Sequence, residues 1–133
     1  MSRRQFIAAL PLAMLAARWG PAPRRRRRPH PHPDPRPGIT GENVLPAHRV
    51  TKPAARPAYA MAREIPEVFD GLHCYCECDG GAMQHRSLLA CFETTQAAGC
   101  YACREQAELA YARHKKGATL DQIRTACDRE FAD

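Results

Sequence analysis

All seven cysteines of this chain lie at or beyond Cys74, so its last 60 residues are about 12% cysteine. Above roughly 8–10%, a short stretch of this kind reads as a domain held by disulfides or by metal. The same stretch has few large apolar side chains and therefore a thin core. Domains of such size commonly need disulfides, a metal or a partner to stay folded.

The remainder is a different material. The formal charge of +6 hides a division: residues 1–63 carry 13 Arg/Lys against 2 Asp/Glu, net +11, and residues 64–133 carry 7 against 12, net −5. The basic total is thus no argument for a nucleic-acid-binding domain, and no nucleic-acid partner is expected. With 133 residues the chain has room for one small domain with appendages and not for a large multi-domain enzyme.

The chain opens with Arg3 and Arg4, followed by a 12-residue apolar run over residues 6–17 that contains Pro11. A cationic region before a short apolar one is the order of an export signal. The run falls short of the roughly 20 residues that a spanning helix needs, which excludes a polytopic membrane protein. Ser2, Arg3, Arg4, Phe6 and Ile7 resemble the twin-arginine signal, Ser-Arg-Arg-x-Phe-Leu/Ile. That resemblance implies the twin-arginine translocation machinery as a partner, export to the periplasm or cell surface, and folding in the cytoplasm, where disulfides rarely persist. The cleavage signal is weak, because Leu15-Ala16-Ala17 matches Ala-x-Ala poorly. Residues 1–20 are read as a signal or an uncleaved anchor, the one point of membrane contact.

Residues 21–37 hold seven prolines and six arginines, five of them consecutive from Arg24 to Arg28. Such a run has too little to bury to offset its ordering entropy, and proline biases it toward extended polyproline II. Arginine blocks can touch nucleic acid or anionic lipid, and His30 and His32 can hold a metal loosely, but without interleaved aromatics a solvated tether is the simpler reading. Pro46, Pro53 and Pro57 extend the tether by breaking any long element. Residues 21–63 are accordingly expected to be a disordered linker, and residues 64–133 the folded domain.

Within the domain, short helical patterns have recognisable ends. Pro66 suits a first helical turn, and Gly71 offers a left-handed stop. A cysteine-rich irregular loop follows. Residues 85–98 place Leu88, Cys91, Phe92 and Thr95 at helical spacing before Gly99, with Cys91 facing inward. Residues 101–116 put Cys100, Cys103, Ala107, Ala110, Tyr111 and His114 on one face, with His114 at the core or its rim, and end at Gly117. Thr119 and Gln122 form a capping box for a last helix striped by Leu120, Ile123, Cys127 and Phe131. The predicted fold is all-α, a small three- to four-helix, cysteine-rich domain.

Cys74-Tyr75-Cys76-Glu77-Cys78, then His85-x-Ser87-Leu88-x-x-Cys91-Phe92, then Cys100-x-x-Cys103 together resemble the bacterial CYCxC-motif family. That family, also described by the string Pro-Cys-Tyr-Cys-Gly-Cys, comprises small exported proteins or lipoproteins of unknown biochemical function. The match covers about residues 65–131 and departs from the string at His73, where it has proline, and at Glu77, where it has glycine. Some members carry selenocysteine, which implies a chalcogen whose nucleophilicity or soft-metal affinity matters. Cys127 lies outside the motifs and reads as a buried small hydrophobe.

Three readings of the other six thiols stand. In the first, Cys74, Cys76, Cys78, Cys91, Cys100 and Cys103, with His85 assisting, bind Cu(I) or Zn(II), the ions that thiolates select, for sequestration or handling without turnover. In the second, Cys100 and Cys103 at a helix start, with Cys74, Cys76 and Cys78, run thiol-disulfide exchange with a redox partner protein. In that case the chain is a thiol-disulfide oxidoreductase. In the third, three disulfides, in one of fifteen pairings, staple an inactive domain. The metal reading is adopted, because a domain folded before export needs a staple other than disulfide. His73 is an even case between ligand and bystander, and Glu77 and Asp79 belong to an acidic surface. No phosphate loop, dinucleotide fingerprint or Ser-His-Asp arrangement is present, which disfavours a hydrolase or nucleotide enzyme.

Overall fold

A computed structural model of the chain describes residues 31–76 and 85–132. The export segment, the arginine block, His30 and Cys78 lie outside the described residues. Among those described the fold is all-α, as the periodicity predicts. Three 3-10 turns, Gly41–Asn43, Ala47–Arg49 and Pro53–Ala55, precede α1 (Arg56–Glu64) and α2 (Pro66–Asp70). Then come α3 (Leu88–Phe92), α4 (Gln96–Gly99), α5 (Tyr101–Lys115) and α6 (Leu120–Phe131). No helix among the described residues is long and apolar enough to cross a membrane.

The long helices end as their chemistry dictates. Gly117, at φ +84°, takes the left-handed conformation that stops α5. Thr119 and Gln122 form the reciprocal capping box of α6, at 3.3 and 2.9 Å. Ser87 caps α3 through its side chain. Two expectations fail locally. Gly71 has φ −88° and ends α2 without a left-handed turn. The helix expected over residues 85–98 is two short ones, broken at residues 93–95, where Thr94 turns its side chain to the Gln96 N–H at 3.2 Å.

The larger correction concerns residues 31–63, which are not a disordered linker. Prolines that read as breakers occupy helix starts instead: Pro53 opens a 3-10 turn, and Pro57 sits in the first turn of α1. Ala55 at its N-cap and Ala58, Tyr59 and Ala62 within α1 then form a buried stripe on the core. The alanines look uninformative as sequence, yet they let the helix approach closely enough for Tyr59 to be fully buried. Its hydroxyl donates to the Thr94 carbonyl at 2.7 Å and accepts from the Ala98 N–H at 3.1 Å. Val44 and Val50 from the turns are buried as well.

The core centres on Tyr59, Phe69 and Phe92, packed edge to face with centroids 5.0 and 5.5 Å apart on Phe92, and on Leu72, Leu88 and Leu89. Each fully buried Phe or Leu here contributes on the order of 1.5–3 kcal/mol. Helix α5 is the spine, packed against both α1 and α6. Asp70, fully buried at the end of α2, ties the N-terminal segment to this frame. Arg36 grips its carboxylate with Nε and Nη2 (3.1 and 2.9 Å) and with its backbone N–H (2.7 Å). Ser87 donates at 2.8 Å, and Arg86 pairs with it at 2.9 Å.

Candidate metal centre

Three separate elements deliver sulfur to one point. Cys74 and Cys76 stand two residues apart in the loop after α2, whose start is pinned where the Leu88 N–H donates to the Leu72 carbonyl at 2.8 Å. Cys91 projects from the buried face of α3, and Cys103 from the first turn of α5. The Cys74 sulfur lies 3.3 Å from Cys76, 3.3 Å from Cys91 and 3.5 Å from Cys103. All four sulfurs are within 4.8 Å of one another, and all four side chains are buried. A tetrahedral ion with metal–sulfur bonds of about 2.3 Å holds its ligands roughly 3.8 Å apart, so the spread matches one four-thiolate site. These approaches are contacts between thiols, well beyond the ~2.05 Å of a disulfide.

Clustering and burial disfavour ionisation of two of the four thiols. Hydrogen bonds with Cys74, Cys76 and Cys91, together with burial, push the Cys103 thiol far above its ordinary range. For Cys91, the hydrogen bond with Cys103 pulls downward, but contacts with Cys74 and Cys76 and burial outweigh it and raise the thiol overall. Metal binding would require Cys91 and Cys103, the thiols raised in this way, to give up their protons.

The other predicted ligands stand apart from this set. The half-buried Cys100 turns its sulfur to accept the Cys103 N–H at 3.3 Å and so serves as the N-cap of α5. The ring of His85 is engaged with Gln96 Oε1 at 2.7 Å, joining the segment before α3 to α4. Cys78 lies outside the described residues. His32 is no loose ligand: its Nδ1 accepts the His73 N–H at 3.0 Å, which leaves Nε2–H to donate to Asp128 at 2.8 Å. The His73 ring packs edge-on against Tyr75, and His114 is exposed on α5 and not at the core rim. Cys127 is buried as expected, and burial pushes its thiol up to about 12.

Two buried polar residues central to the architecture escape the reading of motifs. Gln106 is fully buried one turn beyond Cys103, and Asp70 organises the N-terminal clamp. Gln106 had a usable signal, since its spacing of three from Cys103 puts it on the same helix face. Asp70 had none, because its partners are 17 and 34 residues away.

Fold and site together define a small all-α protein with a buried four-cysteine cluster that can hold a metal ion. Comparison with protein-family models, curated proteins and solved structures gives no match.

Proposed function

We propose that the chain is an exported, N-terminally tethered protein that binds a soft metal ion, Cu(I) or Zn(II), through Cys74, Cys76, Cys91 and Cys103. Its task is sequestration or handling of the ion rather than turnover. The observation that carries this reading is the convergence of four buried sulfurs from three separate elements. A closed set of four protein ligands is the pattern of sites that hold an ion, whereas catalytic sites keep a position open. Export by the twin-arginine route and membership of the CYCxC-motif family belong to the same proposal, supported by the residues quoted above. The redox alternative has less support, because Cys103 is committed to the cluster and its thiol is pushed away from ionisation.

The test is anaerobic purification of the full chain, followed by metal analysis and thiol counting. One ion per chain with the cysteines reduced is expected. A metal-free protein with its cysteines in disulfides overturns the reading. A reporter protein fused behind residues 1–30 and followed into the periplasm checks the export component, which Arg3→Lys with Arg4→Lys should abolish.

A further inference from the structure

One buried side chain fixes the ligand on which the whole cluster turns. Cys74 contacts each of the other three sulfurs and is the hub of the set. It sits in a loop, with no helix to fix its backbone. Gln106, fully buried on α5, supplies what the loop lacks. Its Nε2 donates to the His73 carbonyl at 2.6 Å, and its Oε1 accepts the Tyr75 N–H at 3.1 Å. The first of these groups belongs to the peptide unit before Cys74 and the second to the unit after it. Orienting both peptide planes fixes the φ and ψ of Cys74, and with them the direction in which its Cβ and sulfur point.

We infer that Gln106 is a positioning residue for the cluster: a side-chain amide that pairs with the backbone on both sides of Cys74 and ties it to the helix that carries Cys103. The inference rests on the proposed metal site and adds the element that sets its geometry. The clamp is itself held. Tyr75, between the two loop cysteines, donates its hydroxyl to Asp128 on α6 at 2.5 Å. An apolar side chain at position 106 would leave two part-buried peptide groups without this partner, and the loop would have to turn them elsewhere.

The experiment uses the full chain and two variants. Gln106→Met keeps the volume and removes both hydrogen bonds. Gln106→Glu keeps the acceptor for the Tyr75 N–H and lacks the donor for His73. Zn(II) affinity is read by competition with a chromophoric chelator, and site geometry by the visible ligand-field bands of bound Co(II). A third readout, amide hydrogen exchange at Tyr75 in metal-free protein, needs no ion. Gln106→Met should bind Zn(II) about 10–100-fold more weakly, shift the Co(II) bands and speed Tyr75 exchange at least about tenfold. Gln106→Glu should fall between. Val50→Ala, in the core and outside the cluster, should lower thermal stability and leave the Co(II) bands unchanged, which separates positioning from general destabilisation.

Wild-type affinity and bands in Gln106→Met overturn the inference, and so does unchanged Tyr75 exchange. If Gln106→Met does not fold, the same readouts on Gln106→Glu decide. If the wild-type chain takes up neither Zn(II) nor Co(II), the Zn(II) form of the metal reading fails by itself, and Tyr75 exchange still decides whether Gln106 holds the loop.

Discussion

The N-terminal layer, residues 31–64, and the cysteine cluster hold themselves together by opposite means. The cluster concentrates conspicuous residues at short spacing and gathers their sulfurs within 4.8 Å. The layer has no conspicuous residue at all. It relies on small side chains that permit close approach, one buried tyrosine, and a long-range clamp between Arg36 and Asp70. A motif shows itself because its chemistry resides in the residue types. A packing layer does not, because its stability arises from what its small residues allow others to bury.

The comparison breaks most sharply at the ligands. Cys103→Ser should lose stoichiometric metal, as should Cys74→Ser, whereas Cys100→Ser should keep it, since serine also caps a helix start. Metal analysis of the three purified variants checks this, and loss of the ion in Cys100→Ser would place that thiol inside the site.

Next in size is the clamp. Asp70→Ala should cost about 3 kcal/mol, the low end for a broken buried pair, because the Arg36 side chain is 37% exposed. Burial alone would raise the Asp70 carboxyl, but the hydrogen bonds from Arg36 and Ser87 hold it below its ordinary 3.8. With its folded-state value depressed, its contribution is fully present above 3.8 and is lost as the pH falls through the lower folded value. Chemical denaturation from about pH 6 to about pH 3 should show that acid loss in the wild type and a shallower one in Asp70→Asn.

Smallest is the hydroxyl of the layer. Tyr59→Phe keeps the ring against Phe92 but strips the Thr94 carbonyl and the Ala98 N–H of their partner. It should cost about 1–3 kcal/mol in equilibrium unfolding and leave metal content untouched. A change in bound metal would mean that layer and cluster are one cooperative site.

The long helices were legible because their signals are local: Gly117 stops α5, and Thr119 with Gln122 starts α6. Of the seven predicted metal ligands, Cys74, Cys76, Cys91 and Cys103 come together, and Cys78 lies outside the described residues. Cys100 and His85 belong to the same motifs and yet make other bonds, one to a backbone N–H and one to Gln96. Motif membership could not sort them, because a ligand is chosen by the direction of its side chain, and that direction depends on where α3, α4 and α5 pack.

The cysteine density that constrained this chain from the outset thus settled a good deal without any structure. It called for a small domain with a supplementary staple, and helical periodicity made that domain all-α. Tertiary structure decided the membership of the cluster, the place of Gln106 beside Cys74, and the recruitment of residues 31–64 into the fold. Residue type and local spacing are carried along the chain and can be read from it. Convergence of groups 17 to 34 residues apart is a property of packing, and only the folded chain specifies it.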